Sequence, residues 1–180
     1  MESKEEHVLG LFYNSSKHWH FEEILRKAKI SRPQLARWLK KFEKEGLIKR
    51  IKPKGKMPHY VQDFDSVHFQ QRKMLFARKQ LTESGLLSHL ASLLKAKAVI
   101  VFGSFTRPDW YEGSDIDVFI YGNGEAFEQG KYELKLKREI QVHTAGSKED
   151  LKRMDKLLPY ILAGNFVKGS IGELGIEVHV

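Results

Sequence analysis

The sequence predicts an α+β protein of two parts, a mainly helical first half and a second half of strands and helices. Apolar residues in the first half recur at helical spacing, and two short β-prone runs follow them. The second half contains compact runs rich in β-branched residues, Ala98 to Phe102 and Ile116 to Tyr121, which are typical of buried strands. Charge divides in the same way, because residues 1–97 carry a net charge of +11 and residues 98–180 a net charge of −3. This asymmetry indicates that the first part binds a polyanion and that the second has another task.

We expect a first domain over residues 1–64, a helical connector over residues 65–97 and a second domain over residues 98–180. The chain has no cysteine, which excludes disulfides and thiolate metal sites. No apolar stretch reaches the ~18 residues of a membrane-spanning helix, and the first residues are too acidic and polar for a signal peptide. We therefore expect a cytoplasmic protein without a membrane partner.

The first domain carries the pattern of a helix-turn-helix. A short helix is predicted from Phe21 to Ala28, and a three-residue turn separates it from a second helix. Ser31 is suited to cap that second helix, since Gln34 lies three positions later, and Gly46 ends it.

A hairpin with a basic tip is predicted directly after these helices, from the β-prone runs Leu47 to Ile51 and His59 to Val61. This order of elements resembles a winged helix, in which the second helix enters the major groove of DNA. The resemblance implies DNA as a partner and a set of contact residues on the helix and the hairpin: Arg32, Gln34, Arg37, Lys40, Lys41, Lys44, Lys54 and Lys56. Winged helices also dock proteins, and lysine-rich faces are often only solvated surface, so both alternatives stay open.

The stretch from Ala98 to Tyr121 carries the candidate chemistry. Its first strand stops at Gly103-Ser104, and its second strand begins with Asp115 and Asp117. A spacing of two puts both carboxylates on one face, about 7 Å apart along the chain. Mg²⁺ prefers such oxygen ligands and is commonly held by one or two carboxylates together with substrate phosphates. A Gly-Ser turn that opens a helix offers N–H groups to those phosphates, so the pattern indicates a nucleoside triphosphate with its metal.

This segment resembles the signature of the DNA polymerase beta-type nucleotidyltransferase superfamily, in particular its minimal nucleotidyltransferases of archaea and bacteria. Arg107 stands where the family's GSxxR pattern has its arginine, and Ser114 opens the SDID core. The resemblance implies a mixed β-sheet flanked by helices, and an acceptor hydroxyl that attacks the α-phosphate of an NTP, expected to be ATP. It also implies Asp115 and Asp117 as catalytic ligands of Mg²⁺. The implied nucleotide contacts are Gly103, Ser104, Arg107 and Ser114.

The third predicted strand, Lys137 to Thr144, bears on how active this site is. Nucleotidyltransferases of the family usually carry a third carboxylate on that strand. Here Gln141 occupies the equivalent position, and an amide cannot accept a proton. Glu139 lies on the same face of the strand, as does His143, and we expect Glu139 to be the third catalytic acid. If Glu139 does not replace the missing acid, the domain binds nucleotide and metal but catalyses poorly.

The connector and the rest of the second domain are expected to add helices and one more strand. A long helix from Val67 to Thr82 either joins the domains or forms a homodimer contact, and the sequence leaves both open. The remaining predicted elements are a helix from Glu125 to Leu136, a helix from Ser147 through about Leu158 and a final strand from Gly175 to Val180.

Three functions remain open from the sequence. The leading one is a Mg²⁺-dependent nucleotidyltransferase that transfers AMP to an acceptor. Because minimal nucleotidyltransferases of this kind include antitoxins that modify a toxin, a protein acceptor or toxin is an expected partner. The second is a DNA-binding regulator or antitoxin-like protein whose nucleotidyltransferase-like domain binds nucleotide with little or no catalysis. The third is a scaffold in which both halves dock proteins.

Overall fold

A computed structural model describes residues 3–175, which fold as two compact units that divide between Phe76 and Ala77. We call the part before this division unit 1 and the part after it unit 2. A long helix, α4 (Val67–Glu83), crosses the division. Within the described residues, no helix combines the length and the apolar composition that crossing a membrane requires.

Unit 1 contains three helices, then a hairpin, and then the first part of α4. The bounds are α1 (Lys4–Asn14), α2 (Phe21–Ala28), α3 (Arg32–Lys44), β1 (Ile48–Ile51) and β2 (His59–Gln62). The two strands are antiparallel, and Trp19 adds an isolated bridge to Tyr60 of β2. Helix, turn, helix and hairpin therefore follow one another in the predicted order.

Helix α3 begins and ends where the sequence predicts. The hydroxyl of Ser31 accepts a hydrogen bond from the backbone N–H of Gln34 at 3.4 Å, which is the N-cap interaction. After the helix, Gly46 has a φ of 66°, a conformation that glycine adopts without strain. The apolar stripe of the helix is fully buried, so α3 is held by packing as well as by its cap; it comprises Leu35, Leu39 and Phe42.

Unit 2 is built on a four-stranded mixed sheet in the order β5-β4-β3-β6, which confirms the α+β class. Its strands are β3 (Ala96–Phe102), β4 (Ile116–Gly122), β5 (Ile140–Ala145) and β6 (Asn165–Lys168). β3 pairs antiparallel with β4 and β6, whereas β4 and β5 are parallel. The helices are α5 (Leu86–Ala91), α6 (Gln129–Leu136), α7 (Lys148–Arg153) and α8 (Leu158–Leu162), with 3-10 turns at Ser104–Thr106 and Ile171–Leu174.

Both faces of the central strands are buried, which explains their continuous apolar runs. On one face, Ile100 and Phe119 pack in a cluster with Leu151 of α7 and Ile161 of α8. Residues that point the other way, such as Val118, are buried as well. Because β3 and β4 run antiparallel, the end of β3 lies beside the start of β4, and this pairing assembles the candidate site.

Several predicted bounds differ from the structure for identifiable reasons. The helix expected from Ser147 through Leu158 is two helices, since Pro159 in the first turn of α8 favours a new start. β5 begins at Ile140 rather than Lys137, because Lys137 adopts a φ of 52° and ends α6. The helix expected from Glu125 starts only at Gln129.

Two further differences concern the end of the chain. β6 was not predicted from the sequence, and it pairs with β3 as an edge strand. The final strand predicted from Gly175 to Val180 lies outside the described residues except for Gly175, which follows a 3-10 turn.

Candidate active site

The two aspartates lie where β4 begins. The strand starts at Ile116, between Asp115 and Asp117, and the N–H of Ile116 donates to the carbonyl oxygen of Glu139 at 2.9 Å. Antiparallel pairing sets Asp117 opposite Phe102, the last residue of β3. Both aspartates are half-buried, and the side chain of Asp117 keeps 22% of its exposure. The sheet thus brings both carboxylates to the point where the Gly103-Ser104 turn leaves β3.

Gly103 lies directly against Asp117. Its φ of 78° and ψ of −159° form a backbone conformation that is essentially restricted to glycine. A Cβ atom placed on Gly103 would lie 1.9 Å from Oδ2 of Asp117, far inside any real contact. This position therefore requires glycine for two independent reasons, its backbone conformation and its closeness to the Asp117 carboxylate.

Side chains of β5 contact both aspartates. The amide Nε2 of Gln141 donates to Oδ2 of Asp115 at 2.6 Å. Nε2 of His143 lies 3.7 Å from Oδ1 of Asp117. Parallel pairing sets Gln141 opposite Asp117, so the alternation of β5 aims both side chains at the aspartates. An amide therefore hydrogen-bonds to Asp115, and an imidazole lies near Asp117.

His143 is a site residue to which the sequence analysis gave no role. It has no histidine or carboxylate at metal-ligand spacing along the chain, so spacing alone gives no signal. The available signal was the alternation of β5, which places it on the same face as Glu139 and Gln141.

Burial raises the pKa of Asp117 above its ordinary value. The neighbouring His143 lowers this pKa, while the negative charge of Asp115 raises it. A poorly solvated carboxylate such as that of Asp117, beside a second negative charge, is stabilised by a bound cation.

The structure places Glu139 beside the pair through its backbone. Its side chain is exposed and lines an open cleft with Leu134 and Arg138. Among the described residues, no hydrogen bond or ion pair links its carboxylate to Asp115 or Asp117. Its role as third acid stays a prediction.

The other predicted nucleotide-binding residues lie in the loop between β3 and β4. Ser104 is half-buried and opens the 3-10 turn, next to Gly103. Arg107 is exposed and forms an ion pair with Asp109 at 3.1 Å. Ser114 is buried, and its hydroxyl accepts from the N–H of Tyr111 at 3.0 Å, so it closes the loop.

The donor set determines what kind of metal ion the pair could hold. Asp115 and Asp117 offer hard carboxylate oxygens, with no thiolate nearby. Within residues 3–175, no group of three or more His, Asp or Glu side chains is arranged to hold an ion by itself. The pair therefore fits a cation such as Mg²⁺ that takes its remaining ligands from substrate phosphates and water.

Most of the predicted DNA contacts lie exposed on unit 1. On α3, Arg37, Lys40 and Lys44 are exposed, while Gln34 is half-buried near the helix start. The hairpin tip presents its two predicted lysines, Lys54 and Lys56, to solvent.

Two of the predicted basic contacts already face a carboxylate. Lys41 lies 2.7 Å from Glu5 of α1, and Arg32 lies 2.7 Å from Glu22 of α2. Phosphate contacts through these two would have to replace an existing ion pair.

Comparison with known proteins bears on unit 2. A search of curated proteins found no match to the chain. Residues 84–169 match the family model described as nucleotidyltransferase domain, a segment that holds all four strands of the mixed sheet. It also holds the Gly-Ser turn, both aspartates and Gln141. This part of the chain is therefore similar to nucleotidyltransferase domains of the polymerase beta type, which supports nucleotidyl transfer as its general function.

Proposed function

We propose that the protein is a Mg²⁺-dependent nucleotidyltransferase that transfers AMP from ATP to an acceptor hydroxyl. One observation carries the proposal: the Gly103 backbone lies against Asp117 so closely that a Cβ would come within 1.9 Å of its Oδ2. A phosphate-binding turn and a carboxylate pair thus meet at one point, inside the segment that matches nucleotidyltransferase domains.

The proposed roles follow from the positions of the side chains. Asp115 and Asp117 would hold Mg²⁺, which would offset negative charge on the phosphates and polarise the α-phosphate. Gly103 and Ser104 would bind the β- and γ-phosphates through the backbone, and Arg107 would add positive charge at the same phosphates. The acceptor oxygen forms a bond to the α-phosphorus while the bond from that phosphorus to pyrophosphate breaks. The acceptor proton would pass to Glu139, the residue directly before β5.

Two side chains of β5, Gln141 and His143, also lie beside the proposed metal ligands. By donating to Asp115 at 2.6 Å, Gln141 fixes that carboxylate without adding charge. Nε2 of His143 lies 3.7 Å from Oδ1 of Asp117, and this neighbour lowers the pKa of that carboxyl. Mutation of a group that holds a metal ligand in this way typically costs about 10- to 100-fold in metal affinity or activity.

Transfer of label tests the proposal. Purified protein is incubated with ATP labelled at the α-phosphate, Mg²⁺ and lysate, beside the variants Asp115→Asn and Asp117→Asn. We expect label to appear in a macromolecule with the wild type only, and the size of that product to reveal the acceptor class, for which we propose a protein such as a toxin partner. Equal labelling by wild type and Asp117→Asn would remove the assignment.

A second candidate function is a DNA-binding regulator whose unit 2 binds nucleotide without efficient transfer. The observation that favours it is Gln141, which lies opposite Asp117. Nucleotidyltransferases of the family that the sequence resembles usually carry a carboxylate on this strand. Mg²⁺-dependent ATP binding without any transfer of label would support the regulator over the enzyme.

We further propose that unit 1 is a winged helix that binds DNA in either case. An exposed basic row on α3, made of Arg37, Lys40 and Lys44, faces solvent, and the hairpin tip adds two exposed lysines. Binding through phosphates would be independent of sequence and would weaken steeply with salt. Duplex affinity that is unchanged between low and moderate salt would argue for a protein-docking role of this unit.

A further inference from the structure

A single arginine joins both ends of the loop that separates the two aspartates from the Gly-Ser turn. Arg138 directly precedes Glu139 and β5, yet its side chain reaches back to this loop. Its Nη1 donates to the carbonyl oxygens of Tyr111 at 2.8 Å, Glu112 at 2.9 Å and Ser114 at 2.9 Å. Hydrogen bonds from a charged donor are about twice as strong as neutral ones, so this contact anchors the loop.

The flat face of the guanidinium anchors the other end of the same loop. Its central carbon lies 4.7 Å from the ring centre of Phe105 and 5.2 Å from that of Trp110. Both rings are buried and pack on each other with their centres 5.1 Å apart. Since Phe105 follows Gly103-Ser104 directly, Arg138 contacts the loop both just after the turn and just before Asp115.

The carbonyl contacts act close to the reacting groups. Ser114 is the residue before Asp115, and its hydroxyl and N–H both bond to the backbone of Tyr111, which closes the loop on itself. Burial lowers the pKa of Arg138, whereas the charges of Glu112 and Asp115 raise it. Despite this lowered pKa, an arginine stays protonated, so the donor to the loop carbonyls keeps its positive charge.

We infer that Arg138 is a positioning residue for the proposed transfer reaction, which holds the loop so that Gly103-Ser104 and Asp115 form one site for the phosphates and the cation. The inference rests on the proposed function. Arg138 acts through the loop, by its hydrogen bonds to the carbonyl oxygens of Tyr111, Glu112 and Ser114. The competing explanation is that packing of Phe105 on Trp110 fixes the loop without it.

The test compares Arg138→Met with Arg138→Lys. Methionine keeps the apolar length but has no donor, whereas lysine keeps the charge and three N–H groups and loses the flat face over the rings. The adjacent, exposed Lys137→Met serves as the matched control. Two quantities are measured: amide hydrogen exchange of residues 104–114, and the affinity for ATP with Mg²⁺ by calorimetry.

We expect faster exchange of the loop amides in Arg138→Met, together with ATP binding weakened by about tenfold or more. Arg138→Lys should recover part of both quantities, and it keeps the test decisive if the methionine variant does not fold. Lys137→Met should match the wild type.

Two results would overturn the inference, and they have different meanings. Wild-type ATP affinity in a folded Arg138→Met protein would overturn it alone, because the loop then needs no arginine. Failure of the wild-type protein to bind ATP with Mg²⁺ would overturn the proposed function and this inference with it.

Discussion

Replacement of Gly103 by alanine tests the close approach of this backbone to the Asp117 carboxylate. The new methyl carbon would lie 1.9 Å from Oδ2 of Asp117, while real Cβ contacts essentially never fall below 3.0 Å. The carboxylate must therefore retreat by about 1 Å or more, and a displacement of that size can cost about 100-fold in rate. The φ of 78° and ψ of −159° add backbone strain on the order of 1–3 kcal/mol for alanine. We expect transfer to fall about 100-fold while the free energy of unfolding falls by only about 1–3 kcal/mol.

The assay pairs kcat/KM for label transfer with urea unfolding of the same proteins. Gly130→Ala is the matched control, since Gly130 lies in the first turn of α6 and a Cβ there meets nothing within 4 Å. Alanine suits a helix better than glycine, so this control should be unchanged in rate and more stable by up to ~1 kcal/mol. A Gly103→Ala protein with the wild-type rate would refute the argument that this backbone and Asp117 are poised against each other.

Three further predictions follow from individual contacts. Gln141→Glu places a third carboxylate beside Asp115, so without metal the melting temperature should drop by roughly 2–4 °C for a loss of about 1 kcal/mol. Mg²⁺ should then raise it more than in the wild type, and equal Mg²⁺ shifts in thermal melts would contradict the proposed cation site. Arg37→Ala should lower the slope of log affinity for duplex DNA against log salt by about 1, whereas Lys41→Ala should change it less because Lys41 already faces a carboxylate. Fluorescence titrations at several salt concentrations measure these slopes. If both variants changed the slope equally, Lys41 would contact phosphate as freely as Arg37, contrary to this prediction. Burial, aided by neighbouring histidines, lowers the pKa of His59 below 6.5, so the unfolded chain binds the proton more readily and stability falls as pH drops below about 6.5. His59→Phe should flatten this part of the pH profile in thermal melts between about pH 5 and 8, and an unchanged slope would assign it to other groups.

The part of the candidate site that depends on local sequence pattern could be predicted from the sequence. Gly103-Ser104 and Asp115 to Asp117 each follow or open an apolar strand, and that local signal places them at strand ends. The antiparallel pairing of β3 and β4 then brings these ends together. The residues lie together because both signals fall within one short stretch of chain, and their roles stay a prediction.

Contacts from distant residues could not be predicted in the same way. Arg138 reaches the loop from 24 to 27 positions away in the sequence, and nothing in its neighbours reveals that its partners are carbonyl oxygens. His143 required the register of β5 against β4, which sets it two residues beyond Gln141 on the same face. Backbone carbonyls and strand register carry no side-chain signature, so reasoning from residue types misses them.

The fold shows a similar division. Helix α3 was predicted with its cap and stop because Ser31 and Gly46 act locally. β6 was missed, since four residues with only two apolar members acquire their strand conformation from pairing with β3. Tertiary pairing, rather than intrinsic preference, makes such edge segments into strands.

The central claim is that the Asp115 and Asp117 pair serves transfer of a nucleotide rather than of a phosphate. The most direct measurement incubates one protein preparation with Mg²⁺ and ATP labelled either at the α- or at the γ-phosphate, and follows both labels. We expect the α-label to enter the acceptor and the γ-label to leave as pyrophosphate. Incorporation of the γ-label into the acceptor would show phosphoryl transfer and contradict it.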